Sequence, residues 1–336
     1  MYRFVLSRLA ALVPTIAGIS LLVFLMLYLV PGDPAQIMLG ERANAESLAE
    51  LRVSMGLDQP FHVQLYRFFT GLLRGDLGRS IRTQERITTE LAQRFPATCE
   101  LTITSMFMAL LVGITAGLWA AVRKGKIADL LSMILATAGI SIPVFWLALM
   151  LMLLLAVHVP LFPISGRLST HIYFEPVTYF YTIDALLQGD FRAFGDILWH
   201  LFLPALTIGT IPMAVIARMT RASLLEVLSE DYIRTAWAKG LSQRIVILRH
   251  AIKNAFIPTL TVIALQFGYL LGGAIITETI FAWPGVGRWL FLAVQARDFR
   301  AVQGGVLLLA TIFVLANLLA DLIYAWLDPR IRYDKK

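Results

Sequence analysis

Residues able to do covalent or metal chemistry are sparse in this sequence and badly spaced for it. The five histidines stand at 62, 158, 171, 200 and 250, too scattered to converge on a metal, and no aspartate pair or ligand spacing falls within an apolar run. The single cysteine, Cys99, has no disulfide partner and reads as an ordinary small apolar residue. No G-x-x-x-x-G-K-[ST] occurs, so the chain has no phosphate-binding loop with which to hydrolyse ATP. Two acids stand near the ends of apolar runs, Glu278 and Asp321, the latter one turn after Asn317; in a membrane such groups are candidate ion or proton sites, although a place near the interface favours a structural role. No catalytic residue, cofactor or metal is expected. The polar feature that stands out is the run "DYIRTAWAKGL", Asp231 to Leu241.

The elements that must position these residues are membrane helices. With 58% hydrophobic and 15% charged residues and a mean hydropathy of +0.73, the chain lacks the polar surface of a soluble globule. Six apolar runs are long enough to cross the hydrocarbon core: Leu9–Val30, Leu101–Val122, Leu130–Val157, Ile197–Met219, Phe256–Phe281 and Ala301–Leu327. The first follows Arg3 and Arg8 as a signal peptide would, but it is too long for one and ends in "VPGDP", so it reads as a retained span. The net charge of +7 lies mainly between the runs, which points to topology rather than nucleic acid. With the N-terminus inside, the inner segments hold sixteen lysines and arginines and the two shorter outer segments five; both termini are therefore expected in the cytoplasm. G-x-x-x-G pairs at Gly113/Gly117 and Gly268/Gly272 predict close helix packing within the chain, and Pro14, Pro143, Pro204 and Pro212 predict kinks.

Outside the membrane, residues 31–98 carry three amphipathic patterns, marked by Leu48, Leu51 and Met55 ending at Gly56, by Leu65, Phe69 and Leu72, and by Ile87, Leu91 and Phe95 ending before Pro96. They predict a small cap, with "GDLGRS" (Gly75–Ser80) as a turn between two of its helices. After the fifth span, Trp283, Pro284, Gly285 and Arg288 form a turn before a run with Trp289, Phe291 and Leu292, which is expected at headgroup depth as an anchor or a ledge for an outer partner.

On the inner side, Ser229 is placed to cap a short helix whose first turn holds Glu230 and Asp231, and Gly240 to end it with positive φ; Ser242 then starts the helix leading to Asn254 and Pro258. Such a helix would present Tyr232, Thr235, Ala236 and Trp237 to a partner's groove, its small residues allowing close approach.

At these residues the chain resembles the membrane subunits of ATP-binding-cassette (ABC) importers, whose cytoplasmic coupling loop carries an "EAA---G" pattern; Arg234, Thr235, Ala236 and Gly240 stand at those positions. "PGDP" (Pro31–Pro34), "MGLDQP" (Met55–Pro60), "GDLGRS", "EDYIRTA-AKGL" and "ETIF-WPG-GR" follow in order, as in the peptide-import branch, and the chain is most similar to the first of the two permeases of a dipeptide importer; Trp237 departs from the arginine common there. The resemblance implies an all-α polytopic fold in the bacterial cytoplasmic (inner) membrane: a first span over 1–30, an outer helical insertion over 31–98 and a five-helix core over 99–336 with its coupling loop at 219–257. It further implies a second homologous permease, two cytoplasmic ATPase subunits and an extracytoplasmic substrate-binding protein, and a substrate among dipeptides, longer peptides, glutathione or nickel chelates. The apolar residues Leu265, Phe267 and Leu271, with Glu278 above them, are expected to line or close the path. An ion-coupled secondary transporter would instead need acids deep in the spans, and an inverted repeat with broken helices in matching positions; the six runs show no such repeat.

Overall fold

The computed structural model describes residues 2–29, 35–36 and 44–327, and every regular element among them is a helix. Pro31–Pro34 lie outside the described residues, as do the side chains of Leu51, Met55, Leu271 and Asp321 and the surroundings of Gly272. The first span is α1 (Tyr2–Leu29), and Pro14 lies within it without breaking it. The segment after it supplies α2 (Ala45–Met55) and α3 (Phe61–Leu73). Asn44 caps α2, accepting from the Ser47 amide at 2.6 Å, and Gly56 ends it at φ 71°. The third amphipathic pattern does not stop before Pro96. It runs on into the second span as one helix, α4 (Ile87–Val122), because Pro96 and Ala97 are buried and packing on both sides of the proline outweighs one lost backbone bond.

The third apolar run is broken. Helix α5 (Ile127–Ser141) and α6 (Val144–Met152, continued by a π turn over Leu153–His158) meet at an angle of 104°. Proline at 143 lacks an amide donor and holds Ile142 extended at φ −80°, ψ 125°, so the chain turns a corner where a mild kink was expected. After a long loop come α7 (Tyr181–Leu187) and the longest helix, α8 (Phe191–Leu228), continuous through Pro204 and Pro212. Next are α9 (Asp231–Ala238), one turn at Gln243–Ile245, a π turn at Val246–Ala251 and α10 (Ile252–Ile280). Helix α11 (Val286–Gln295) precedes the last span, α12 (Phe299–Leu327).

Helices α4 and α8 form the centre of the bundle because small residues let their backbones meet. A Cβ on Gly113 would stand 2.7 Å from the Met213 carbonyl, and one on Gly117 would stand 2.5 Å from that of Ala217. Lower on the same seam, Gly209 faces the Ser105 carbonyl. Buried hydroxyls in this seam return to their own helix: Ser105 donates to Leu101 O and Thr207 to Leu203 O, which offsets the cost of polar groups in an apolar interior. Helix α10 packs on both α8 and α12, and α1 lies at the edge against α12. Leu130, Leu131, Ile134 and Leu135 of α5 stay exposed, as expected of a surface meant for lipid or another membrane chain.

Candidate functional site

The first candidate site is built around α9. Ile233 and Ala236 are buried with Leu224, Ala121, Val246, Ala251 and Ala255, which fixes α9 on the ends of α4, α8 and α10. Ala236 therefore faces inward, 7% exposed, and not toward a partner as its size suggested; at i and i+3, Ile233 and Ala236 form the narrow apolar stripe of an eight-residue helix. The opposite face carries Asp231, Tyr232, Arg234, Thr235 and Trp237, all exposed. Arg234 pairs with Asp231 at 3.2 Å, and the Tyr232 hydroxyl accepts from Asn254 Nδ2 at 2.7 Å, joining α9 to the start of α10.

Both ends of α9 follow from local chemistry, though one differs from expectation. Ser229 does not cap it. Its hydroxyl turns back to Glu226 O at 2.6 Å and closes α8, and Glu230, extended at φ −70°, ψ 148°, holds the N-cap place without a side-chain bond. At the other end Gly240 has φ +78°, and the amides of Gly240 and Leu241 reach back to the carbonyls of Trp237 and Ala236, a Schellman closure. Ser242 stands at the next N-cap, although its hydroxyl makes no cap bond.

A clamp near this site has no sequence signature. Arg221 on α8 grips Asp129, in the first turn of α5, with Nε to Oδ1 at 2.5 Å and Nη2 to Oδ2 at 2.9 Å, and the Gly125 amide adds a third bond at 3.0 Å. The partners lie 92 residues apart, so spacing cannot announce them.

The second candidate site, at the opposite end of α10, is the turn that follows it. Glu278 is fully buried and its carboxylate is shared out: Oε1 accepts from the Thr98 hydroxyl at 2.7 Å and Oε2 from the Arg288 amide at 2.9 Å, while the Thr98 oxygen accepts the Val286 amide. A carboxylate committed in this way braces the turn and is not open to a passing ion. Gly285 and Gly287 leave room for it, because a Cβ at 285 would overlap the carboxylate and one at 287 would meet Ile275 Cα at 2.8 Å. Trp283 is fully buried with its indole N–H on Ala97 O at 2.8 Å, and Trp289, 4% exposed, donates to Glu90 at 3.0 Å. Both rings are buried inside the protein and bolt the turn to α4, and Pro284 and Arg288 are what the turn leaves accessible. The "GDLGRS" segment is a turn with Asp76 accepting from the Gly78 amide, and Ser80 donates to Asp298 at 2.6 Å, tying it to the start of α12. Glu100 pairs with Arg167 and accepts from Thr182 at 2.8 Å, pinning the loop before α8 to α4.

Between these ends, the path candidates do not share one face. Leu265 is 61% exposed and continues into exposed Tyr269 and Ile276, whereas Phe267 packs into the central cluster with Leu270 and Ala274.

A bundle of apolar helices long enough to cross a membrane, with a short amphipathic helix held at one end and a braced turn at the other, defines a polytopic membrane protein. Residues 113–333 match the family described as "Binding-protein-dependent transport system inner membrane component", and residues 1–102 match its N-terminal counterpart. The chain belongs to this family and is a multi-pass inner-membrane permease subunit. It is 49% identical over 339 residues to the dipeptide transport system permease protein DppB of Escherichia coli (strain K12), covering 100% of both chains. It is 46% identical to the di/tripeptide transport system permease protein DppB of Pseudomonas aeruginosa (strain UCBPP-PA14), again over 100% of both. To the glutathione transport system permease protein GsiC of Salmonella paratyphi A (strain ATCC 9150 / SARB42) it is 42% identical, over 99% of this chain and 100% of the relative.

Proposed function

We propose that the chain forms half of the translocation path of an ABC importer for dipeptides and short peptides, with a second homologous permease, two cytoplasmic ATPase subunits and an extracytoplasmic binding protein. The observation that carries this reading is α9: a two-turn helix whose buried face is locked to α4, α8 and α10 while Asp231, Tyr232, Arg234, Thr235 and Trp237 stay exposed. Such a helix can pass a push from an ATPase groove to three spans at once. The full-length likeness to dipeptide permeases supports the substrate class. Glutathione, itself a short peptide, is the second reading, favoured by the 42% relative.

In this reading both termini and α9 face the cytoplasm, the segment over 31–98 forms an outer cap before the core over 99–336, and the accessible Pro284 and Arg288 meet the binding protein. The exposed line of Leu265, Tyr269 and Ile276 faces the second permease across the path, where apolar side chains close it by excluding water. The test is reconstitution of the assembled transporter, with uptake of labelled dipeptide and ATP hydrolysis measured together. Purified alone, this chain should hydrolyse no ATP; Leu265→Ser in the complex should raise hydrolysis uncoupled from uptake. Robust ATPase activity by the isolated chain, or peptide uptake without ATPase subunits, would refute the reading.

A further inference from the structure

A cleft of about 750 Å³ opens between α1, α2, α3 and the start of α12. Two of its walls are span ends: Phe24 and Tyr28 stand in the last turns of α1, and Phe299, Arg300 and Gln303 in the first turns of α12. The apolar stretches Arg8–Met26 and Phe299–Leu319 finish and begin beside it, so the cleft sits where hydrocarbon gives way to headgroups. Its spanward side is aromatic. Phe24 packs on Phe61 and Phe68 with ring centroids 5.6 and 5.4 Å apart, and Tyr28 on Phe61 at 5.0 Å. The cluster is nevertheless uncovered, with Tyr28 51% and Phe61 38% exposed. Leu21, also exposed, lies on the same face of α1 at the i, i+3, i+7 spacing with Phe24 and Tyr28, which carries the apolar line from the cleft down the span.

The side away from the spans is basic. Arg67 of α3 and Arg300 of α12 have neither an ion pair nor a side-chain hydrogen bond among the described residues, and Arg52 lines the same wall. Asp76 is the acid in the lining, and it accepts from the Gly78 amide at 2.8 Å. Even with Arg52 left aside, two guanidiniums therefore face one carboxylate. Two turns make room for them. A Cβ on Gly56 would stand 2.7 Å from Arg67 Nη1, and one on Gly78 would stand 3.2 Å from Arg300 Nη1; both glycines have positive φ, 71° and 80°. The "MGLDQP" and "GDLGRS" segments, far apart in sequence, thus each seat one arginine of the same cleft on bare backbone.

We propose that the cleft binds an anionic membrane phospholipid, its phosphate held between Arg67 and Arg300 and an acyl chain lying over Tyr28, Phe24 and Leu21. A guanidinium fork matches phosphate oxygens in pairs, and basic pockets between spans suit charged lipid headgroups. A soluble phosphate would answer the charge and leave the aromatic side bare. An acidic protein loop would have to reach the arginines at the level of the lipid itself. Bound there, the lipid would tie α1, which lies at the edge of the bundle, to α3 and α12.

The experiment uses the assembled transporter, stripped of lipid in an uncharged detergent and titrated with phosphatidylglycerol, with phosphatidylcholine of the same chains, and with soluble glycerol phosphate. Native mass spectrometry counts the lipid retained, and thermal unfolding reads the stabilisation. Wild type should hold phosphatidylglycerol in preference to phosphatidylcholine and should barely respond to glycerol phosphate. Arg67→Gln with Arg300→Gln should lose one retained lipid and bind phosphatidylglycerol about tenfold more weakly, with lysine at both positions intermediate. Tyr28→Ser should weaken phosphatidylglycerol binding while keeping the preference over phosphatidylcholine. Equal binding of the two lipids by wild type, a measurement that needs no variant, overturns the proposal. So does glycerol phosphate binding as tightly as the lipid, since the site would then serve a soluble anion. Unchanged lipid retention in the double glutamine variant also overturns it, and if that variant instead binds the extracytoplasmic protein more weakly, the arginines belong to a protein contact.

Discussion

Two glycines, Gly240 and Gly285, are required for opposite physical reasons. Gly240 has φ +78° and open space around a would-be Cβ, so only the backbone conformation limits what can replace it. Gly240→Asn, which tolerates left-handed backbone, should retain most peptide uptake, whereas Gly240→Val, opposed by at least about 1–2 kcal/mol, should reach the membrane yet fail in uptake. Equal uptake by both would show that the Schellman closure is dispensable. Gly285 has ordinary φ, −90°, but its α-carbon abuts the Glu278 carboxylate. Gly285→Ala should therefore lower the stability of the solubilised chain by about 1–3 kcal/mol, read as a fall in its thermal unfolding temperature. The first requirement was legible, because a glycine closing a polar helical run has a local cause. The second was not: "ETIF-WPG-GR" marks the place, but the overlap exists only once the turn folds seven residues back on itself. Ser229 misled for the same reason, since its type suits both the end of α8 and the start of α9, and tertiary packing decided.

At the scale of elements, α9 is a helix with one committed and one free face. Ala236→Glu would bury a charge among Ile233, Leu224 and Val246, so it tests packing; Trp237→Ala, on the exposed face, tests docking. Trp237→Ala should leave membrane levels unchanged and reduce co-purification of the ATPases, with uptake falling in step. The Asp129–Arg221 clamp joins α5 to α8 just before α9. Asp129→Asn should weaken that joint by about 1–3 kcal/mol, leaving a poorly matched guanidinium. The expected result is ATP hydrolysis retained with uptake reduced, partly recovered in the exchanged pair Asp129→Arg with Arg221→Asp. The existence of α5 and α6 was readable from hydropathy and the proline from its type; the 104° corner was not, because a proline permits anything from a kink to a break and the neighbours choose.

For the whole molecule, hydropathy and charge placed the spans, and orientation is testable directly. Single cysteines at Ser47 and Lys239 in a Cys99→Ser background should label from opposite sides of the membrane; labelling of both from outside would discard the assigned topology. Pairings such as Glu100 with Arg167 or Ser80 with Asp298 join residues far apart in the chain, and no periodicity encodes them. Helix α8 spans both worlds. Its 38 residues make a rod of about 57 Å, nearly twice the hydrocarbon thickness, with Asp196 bonded to Ser169 near one end and α9 following two residues after the other. Helix α4 presses closest at Met213 and Ala217, whose carbonyls would stand 2.7 and 2.5 Å from a Cβ on Gly113 and Gly117. A rod pivoting there by about 5° swings its far tip by roughly 3 Å and its near tip by roughly 2 Å, in opposite directions. With its fulcrum on this seam, α8 would behave as a seesaw, the end that carries α9 moving one way as the end held at Asp196 moves the other.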